Sequence, residues 1–431
     1  MSYNNNESIP LSKLCYGKGE YGIGASAVPK NLNLPTYLRI TDITDNGDLI
    51  TEGLTSVDHT DSSKYYLEEN DIVFARTGAS TGRAFFYEKK YGRLVYAGFL
   101  IKFSIDKEKV NPKYLKYYTL SDQYKGWVKA YTGGSTRGNI NAKTFGDMLV
   151  ELPPRNQQDF LVKILSSFDD KIELNNKINK NLEELAQTLY KRWFIDFEFP
   201  NEDGEPYKSS GGEMVDSELG LIPKSWNINK LCDISEIERG LSYKGKHLCE
   251  SGVPMINLGS VKAKGGYNYD KIKFYNGDYK QKNVVSKGDI IIANTDMTST
   301  RDILGTPIMV PSIYHGDIIF SHHLYALRKM KISRSYLYYY LKSDTFKSIA
   351  ENYANGTTVL AIAKNDVEQA PVLIPSDVVL NLFSSIVDNV IDTVSNNEVQ
   401  NISLTKTRDE LLPKLMNGEI EVSNEEWFYG C

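Results

Sequence analysis

The chain carries one pattern twice, and any fold it adopts must accommodate both copies. Asp71-Ile72-Val73 returns as Asp289-Ile290-Ile291, and Tyr37-Leu38-Arg39-Ile40 returns as Met255-Ile256-Asn257-Leu258, both at an offset of 218 residues. Lys113-Tyr114-Leu115-Lys116-Tyr117-Tyr118 returns as Ser335-Tyr336-Leu337-Tyr338-Tyr339-Tyr340 at an offset of 222. That offset persists for Gly134-Ser135-Thr136 against Gly356-Thr357-Thr358 and for Leu152-Pro153 against Ile374-Pro375. The period is far longer than a solenoid unit of about 20–50 residues. It describes a duplicated domain together with its connector. Two similar surfaces on one chain suit a target that comes in two parts.

At 431 residues the chain exceeds one ordinary core, and about two to three domains are expected. With 41% hydrophobic and 24% charged residues its composition is that of a soluble globular protein, rich in tyrosine at 29. The opening MSYNNNESIPLSK has neither a basic segment nor an apolar run, so no secretory signal is expected. No stretch of about 18 apolar residues is evident, so no membrane span is expected. Cys15, Cys232, Cys249 and Cys431 form no CxxC pair and no His/Cys cluster, which argues against structural zinc or any bound metal. Lys13-Leu14-Cys15 and Lys230-Leu231-Cys232 match in the repeat, suggesting a shared packing position. Buried, reduced thiols in a cytoplasmic protein are the simplest expectation.

The net charge of −5 conceals an alternation: residues 1–150 carry +3, residues 151–219 carry −7, residues 220–371 carry +6 and residues 372–431 carry −7. The two repeated bodies are basic and the connectors acidic. Local sign governs attraction to a polyanion more than the total does.

The bodies, residues 1–150 and 221–371, read as mostly β. Short β-branched and aromatic runs (Tyr37–Ile43, Asp71–Ala75, Leu94–Phe103; Met255–Val261, Asp289–Ala293, Ile318–Leu327) lie between Gly, Asn, Asp and Pro clusters. One short helix is expected in each, Lys113–Ser121 and Ser335–Ser343. The connectors, 151–200 and 372–422, show helical steps, mostly of three or four, with one longer break in each. Phe160, Ile164, Phe168, Ile172, Ile178, Leu182, Leu185 and Leu189 mark the first; Leu382, Ile386, Val390, Val394, Leu404, Arg408, Leu411 and Leu415 mark the second. Each predicts a helix of roughly 40 residues, about 60 Å long. The two match in length and are expected to pair as a long antiparallel coiled coil. Asn417-Gly418 supplies a stop signal. Residues 201–220 read as a loop-rich linker and 423–431 as a loosely ordered tail. The expected class is α+β: two tandem β-rich domains held apart by paired helices, with a pseudo-two-fold repeat.

Catalytic motifs are absent. Gly240-Leu241-Ser242-Tyr243-Lys244-Gly245-Lys246-His247 fits GxxxxGK, but His stands where Ser or Thr would ligate magnesium, and the preceding Ile234–Arg239 is polar. A nucleotide-dependent enzyme built on it is the weakest reading; a surface loop with Lys244 and Lys246 on a phosphate backbone is simpler. His322-His323 lacks an acidic partner or HExxH spacing. What remains is contact chemistry. The loop with Arg76, Thr77, Ser80, Thr81 and Arg83 answers to the one with Asn294, Thr295, Thr298 and Arg301. The loop with Ser135, Thr136, Arg137 and Asn139 answers to Thr357 and Thr358. Gly turns and hydroxyls hold phosphates, while Arg and Asn read base edges. Each loop by itself could be an ordinary solvated turn; recurrence in both halves favours function. A non-DNA scaffold of tandem β-rich modules on a helical stalk is the alternative.

At these residues the chain resembles a specificity subunit of a type I restriction-modification enzyme. The carriers are Tyr37-Leu38-Arg39-Ile40-Thr41-Asp42-Ile43, Gly133-Gly134-Ser135-Thr136, Leu152-Pro153-Pro154 with Gln157-Gln158, Leu219-Gly220-Leu221-Ile222-Pro223-Lys224-Ser225-Trp226, and the ending Arg408-Asp409-Glu410-Leu411-Leu412-Pro413-Lys414-Leu415-Met416-Asn417-Gly418-Glu419-Ile420. Their order, with the duplication, covers nearly the whole chain. The resemblance implies two target recognition domains, each reading half of a bipartite site on double-stranded DNA, in a non-catalytic subunit. It implies helices that set the gap and dock two modification (methyltransferase) subunits, with Phe160, Ile164, Leu182, Leu189, Leu404, Leu411 and Leu415 as docking residues. Restriction (translocase/nuclease) subunits are the further partners. S-adenosylmethionine, ATP and Mg are expected in partner subunits, with no cofactor on this chain.

Overall fold

The computed structural model describes residues 6–132, 138–263, 265–297, 302–314, 316–356 and 359–420. The chain divides into two compact units, Met1–Ile172 with Ser403–Cys431, and Glu173–Ile402. The expected partition into bodies and separate spacer helices is therefore redrawn. Each unit comprises one body and a portion of both long helices, Arg155–Tyr190 and Asp377–Met416.

In the first unit the strand Asp71–Ala75 is buried along its whole length and is central to an antiparallel sheet, ordered Glu20–Tyr21, Leu100–Ser104, Asp71–Ala75, Ala84–Phe86. A second sheet runs Ala27–Val28, Thr55–Val57, Thr36–Leu38, Leu94–Tyr96, with its last two strands parallel. The expected single run Leu94–Phe103 is thus two strands in two sheets. A turn closed by the Leu100 N–H on the Ala97 carbonyl at 2.8 Å separates them. Likewise Tyr37–Ile43 holds the end of a short strand, then a 3-10 turn at Ile40–Asp42. Helices Pro112–Tyr118, Asp122–Thr132 and Ala142–Gly146 stand where one was expected. Their core side chains, Tyr114, Leu115, Tyr118 and Phe145, join Leu161, Val162 and Leu165 of the first long helix and Leu412 of the second in one cluster.

The second unit repeats this plan. Ile290–Ala293 is central to the sheet Glu236–Arg239, Leu324–Arg328, Ile290–Ala293, Pro307–Met309. A five-stranded sheet pairs Val253–Ile256 in parallel with Ile318–Phe320, the counterpart of the parallel pair in the first unit. Helices Arg334–Lys342, Asp344–Asn352 and Lys364–Glu368 follow; the Ser343 hydroxyl accepts from the Phe346 N–H and starts the second of them. Tyr336, Leu337, Tyr339 and Tyr340 share a core with Ala186, Tyr190 and Phe194 of one long helix and Phe383, Val387 and Val390 of the other. Helices that share a core with their body are not a free stalk.

Residues 201–220, expected as a linker, fold into the second unit. Phe199 stacks on Tyr207 at 4.6 Å and on Trp226 at 4.8 Å, and Met214–Ser217 pairs with Gly220–Pro223 as a hairpin. Aromatic burial outweighs the loop-favouring composition there. The first long helix ends in a π-helical segment, Lys191–Ile195. The second ends at Met416, where Gly418 takes φ +69° and its N–H reaches the Leu415 carbonyl. By length and composition Asp377–Met416 is apolar enough to cross a membrane, against expectation. Its Phe383, Val387, Val390 and Val394 are buried in the second unit's core, while 28% of its most apolar window is buried in all. Cys15 is buried but Cys232 is exposed, so the matching cysteines do not share a packing position; the preceding Leu14 and Leu231 do.

Candidate nucleic-acid interface

The frame of the site is a close approach of two backbones. A Cβ on Gly22 would lie 2.3 Å from the Ala97 carbonyl oxygen, and one on Gly240 would lie 2.2 Å from that of Ser321. Only glycine fits at either point. The two glycines are 218 residues apart, so the same junction is built in both units. It brings the end of the central strand beside the turn that splits the long apolar run. The Arg76 N–H donates to the Phe99 carbonyl at 3.0 Å, and the Asn294 N–H donates to the His323 carbonyl at 3.0 Å. A further chain segment joins each: Asn139 bridges to Thr77, and Ala361 bridges to Thr295.

The side chains on this frame differ. In the first unit the Arg76 guanidinium lies over the Tyr21 ring at 5.1 Å, and Phe99 beside it is 56% exposed. The Tyr21 hydroxyl accepts from the Ala142 N–H at 3.2 Å, and Asn139 is exposed. In the second unit Asn294 and Thr295 are 3% and 5% exposed. Asn294 Nδ2 donates to the His322 carbonyl at 3.1 Å, and the Thr295 hydroxyl donates to Asn294 Oδ1 at 2.6 Å. The exposed Arg239, at the place of Tyr21, donates from Nε to the same His322 carbonyl at 3.1 Å. Burial, joined by the electrostatic influence of the neighbouring His322, Arg239 and Lys273, holds the His323 imidazole below its ordinary range. His323 is therefore neutral at neutral pH. The Thr295 proton goes to Asn294, so the hydrogen bond between Thr295 Oγ1 and His323 Nδ1 at 3.2 Å assigns the proton to Nδ1 and leaves Nε2 as an acceptor.

Several residues read from sequence as contacts are occupied within the fold. Arg83 pairs with Asp45 at 2.7 Å and donates to the Ile43 carbonyl at 3.0 Å. Ser80 is buried, and the Thr81 hydroxyl donates to the carbonyls of Gly78 and Gly138. Asn294 and Thr295 turn inward as described. These contacts shape the loops and engage Arg83 through Nε and Nη1, Thr81 through its hydroxyl and Asn294 through its amide. Arg76, Thr77 and Asn139 are drawn together, and Lys244 and Lys246 are exposed on a separate loop. That loop forms a 3-10 turn at Gly245–His247 followed by the strand Leu248–Cys249, not the helix a phosphate-binding loop requires. Ser135, Thr136, Arg137, Thr298, Arg301, Thr357 and Thr358 lie outside the described residues. Among the described residues no group of His, Cys, Asp or Glu is placed to hold a metal.

Sequence reasoning missed Tyr21, Phe99, Arg239 and Lys273. The signal was present: Tyr21-Gly22 and Arg239-Gly240 fall at the same 218-residue offset as the strands. On the helices, Leu182 and Leu189 pack against the second unit's core and Leu415 against the first unit's core, so these three face inward in part. Phe160, Ile164, Leu404 and Leu411 are half-buried. Along the long helices the apolar side chains most open to solvent among the described residues are Leu174, Leu185, Ile195, Val378, Leu382 and Ile386, the last three at steps of four along one face.

Comparison with known proteins agrees with this duplicated architecture. A family model described as the type I restriction modification DNA specificity domain matches residues 10–184 and again 223–406. The MjaIX specificity subunit of a type I restriction enzyme from Methanocaldococcus jannaschii is 29% identical over 324 residues, spanning 74% of this chain and 71% of that protein. The HindI specificity subunit from Haemophilus influenzae is 22% identical over 443 aligned residues, spanning 89% and 94%. The crystal structure of a type I restriction-modification S subunit from M. genitalium superposes with a TM-score of 0.56 at 15% identity, covering 98% of both chains, a likeness of fold.

Proposed function

Because the chain belongs to the type I restriction-modification DNA specificity family, whose domain it carries twice, we propose that each unit reads one half of an interrupted site on double-stranded DNA. The observation that carries this reading is the shared glycine frame with unlike side chains: Tyr21, Arg76 and Phe99 in one unit, Arg239, Asn294 and His323 in the other. One frame with two faces recognises two different short sequences. The basic bodies supply phosphate attraction, and base edges supply the discrimination.

In this reading the paired long helices set the gap between half-sites and dock two modification subunits. The open stripe Val378, Leu382 and Ile386 offers apolar area for such a contact. S-adenosylmethionine chemistry belongs to those subunits, and ATP- and Mg-dependent translocation and cleavage to the restriction subunits, with the assembly working in the cytoplasm. This chain contributes recognition and no reacting group.

A salt titration tests the reading. With its modification subunit, the chain should bind its duplex with an affinity that falls steeply between 50 and 200 mM salt, about 10³-fold or more if six or more phosphates are engaged. Binding that ignores salt and sequence would reject it in favour of a non-DNA scaffold.

A further inference from the structure

We propose that Arg76 is the residue through which the first unit fixes one guanine of its half-site, with Tyr21 as the platform that aims it; the inference rests on the DNA-recognition reading above. Arg76 directly follows the buried strand Asp71–Ala75, and its backbone is clamped on both sides. Its N–H donates to Phe99, and its carbonyl accepts from the Ile140 N–H at 2.9 Å. The base of the side chain is therefore rigidly placed. The guanidinium lies over the Tyr21 ring at 5.1 Å, and that ring is itself pinned by the Ala142 N–H on its hydroxyl. Arg39 and Arg83 each hold a carboxylate at 2.7 Å. Arg76 has no ion pair or side-chain hydrogen bond among the described residues.

The orientation narrows the chemistry. Nε is buried without a partner, so the edge left for a ligand is the Nη1/Nη2 end. That end presents two donors from one plane. In the major groove guanine presents two adjacent acceptors, O6 and N7, whereas adenine places a donor in that pair and cytosine offers a donor. A guanidinium held over a ring also has less freedom to lose on binding than a free one. The second unit does not repeat the device. Asn294 stands at the equivalent place and is buried, and Tyr21 gives way to Arg239, already engaged with the His322 carbonyl. The inference is therefore confined to the first half-site.

The test uses the full chain expressed with its modification subunit. Methylation motifs and duplex binding are compared for the wild type, Arg76→Ala, Arg76→Lys, Tyr21→Phe and Tyr21→Leu. Arg76→Ala should lower discrimination at a single G·C position of one half-site by roughly 5- to 150-fold, with the other half-site unchanged. Arg76→Lys should recover only part of it, since an ammonium cannot form the bidentate pair. Tyr21→Leu should relax the same position, and Tyr21→Phe should relax it less, as the ring is kept. A relaxed but still interrupted motif itself shows that the variant folds; if Arg76→Ala abolishes methylation, Arg76→Lys and Tyr21→Leu decide. Uniform weakening across all duplexes with a salt slope reduced by about one would make Arg76 a phosphate contact and overturn the proposal. So would unchanged specificity, or relaxation at an A·T position. In each of those cases DNA recognition by the chain stands. An absence of any interrupted motif with the wild type would instead remove the reading beneath it.

Discussion

Asn397 donates a side-chain hydrogen bond to Asn179 at 2.8 Å across the two long helices within the second unit. One turn away Asn175 donates to Asn401 at 2.8 Å and to Gln400 at 2.8 Å. The repeat offset of 222 carries Asn175 onto Asn397 and Asn179 onto Asn401. The two contacts are thus the same contact with the partners exchanged, the signature of a two-fold relationship. Partner numbers fall as residue numbers rise, so the helices run antiparallel. Asn175 is fully buried, and its Oδ1 has no hydrogen-bond partner.

Asn175→Ala should leave the acceptors of Gln400 and Asn401 without their donor and cost about 1–3 kcal/mol in urea unfolding. Replacing Asn175, Asn179, Asn397 and Asn401 together by Leu should be neutral or stabilising, because the four amides go together and the exposed Gln400 and Asn176 turn to water. It should also weaken the definition of helix register, as buried asparagines do in coiled coils. An unchanged midpoint for Asn175→Ala would show that the layer contributes nothing to stability.

In the first unit Asp169 is the meeting point of Lys116 at 2.7 Å, Arg408 at 2.8 Å and the Tyr117 hydroxyl at 2.9 Å. Burial pushes its carboxyl up, but the two cations outweigh this and hold it below its ordinary range. A lowered folded value means a stabilisation fully present above the unfolded value of about 3.8 and lost as pH falls through the folded one. Asp169→Asn should therefore lower stability by about 1–3 kcal/mol at neutral pH, with the gap closing in acid. A gap that stays constant through the acid range would contradict the ion-pair origin.

Glu398 has the opposite sign. Burial raises its carboxyl above the ordinary 4.5, although Tyr269 donates to it at 2.8 Å and Lys262 and Lys342 lie nearby. A raised value means stability that is full below about 4.5 and falls as pH rises through the folded value. Glu398→Gln keeps an acceptor for Tyr269 and should raise the melting temperature at pH 7, with no difference below pH 4.5. A less stable variant at pH 7 would mean that attraction to the lysines exceeds the cost of burial.

The duplication was legible because the strands and helices that build the frame repeat in type and spacing. Asp71–Ala75 and Asp289–Ala293 were readable as strands, each a short β-branched and aromatic or apolar run between turn residues. The splitting of Leu94–Phe103 and Ile318–Leu327 was not. Those runs cross a turn that depends on a glycine in another segment, Gly22 or Gly240, which no local pattern reveals. Of the contact loops, sequence showed their location but not their direction. Arg83 and Thr81 look as available as Arg76 until Asp45 and Gly138 are placed beside them. The exposure of Cys232 against the burial of Cys15 likewise depends on neighbours distant in sequence. Burial pushes the Cys15 thiol up to about 12.

Single-molecule methylome sequencing of cells that express this chain with its modification subunit addresses the two-reader arrangement most directly. Two unlike recognition faces on one repeated frame predict one new adenine-methylation motif, made of two different half-sites separated by a fixed unread gap. A continuous motif, two identical half-sites, or no new methylation would contradict it.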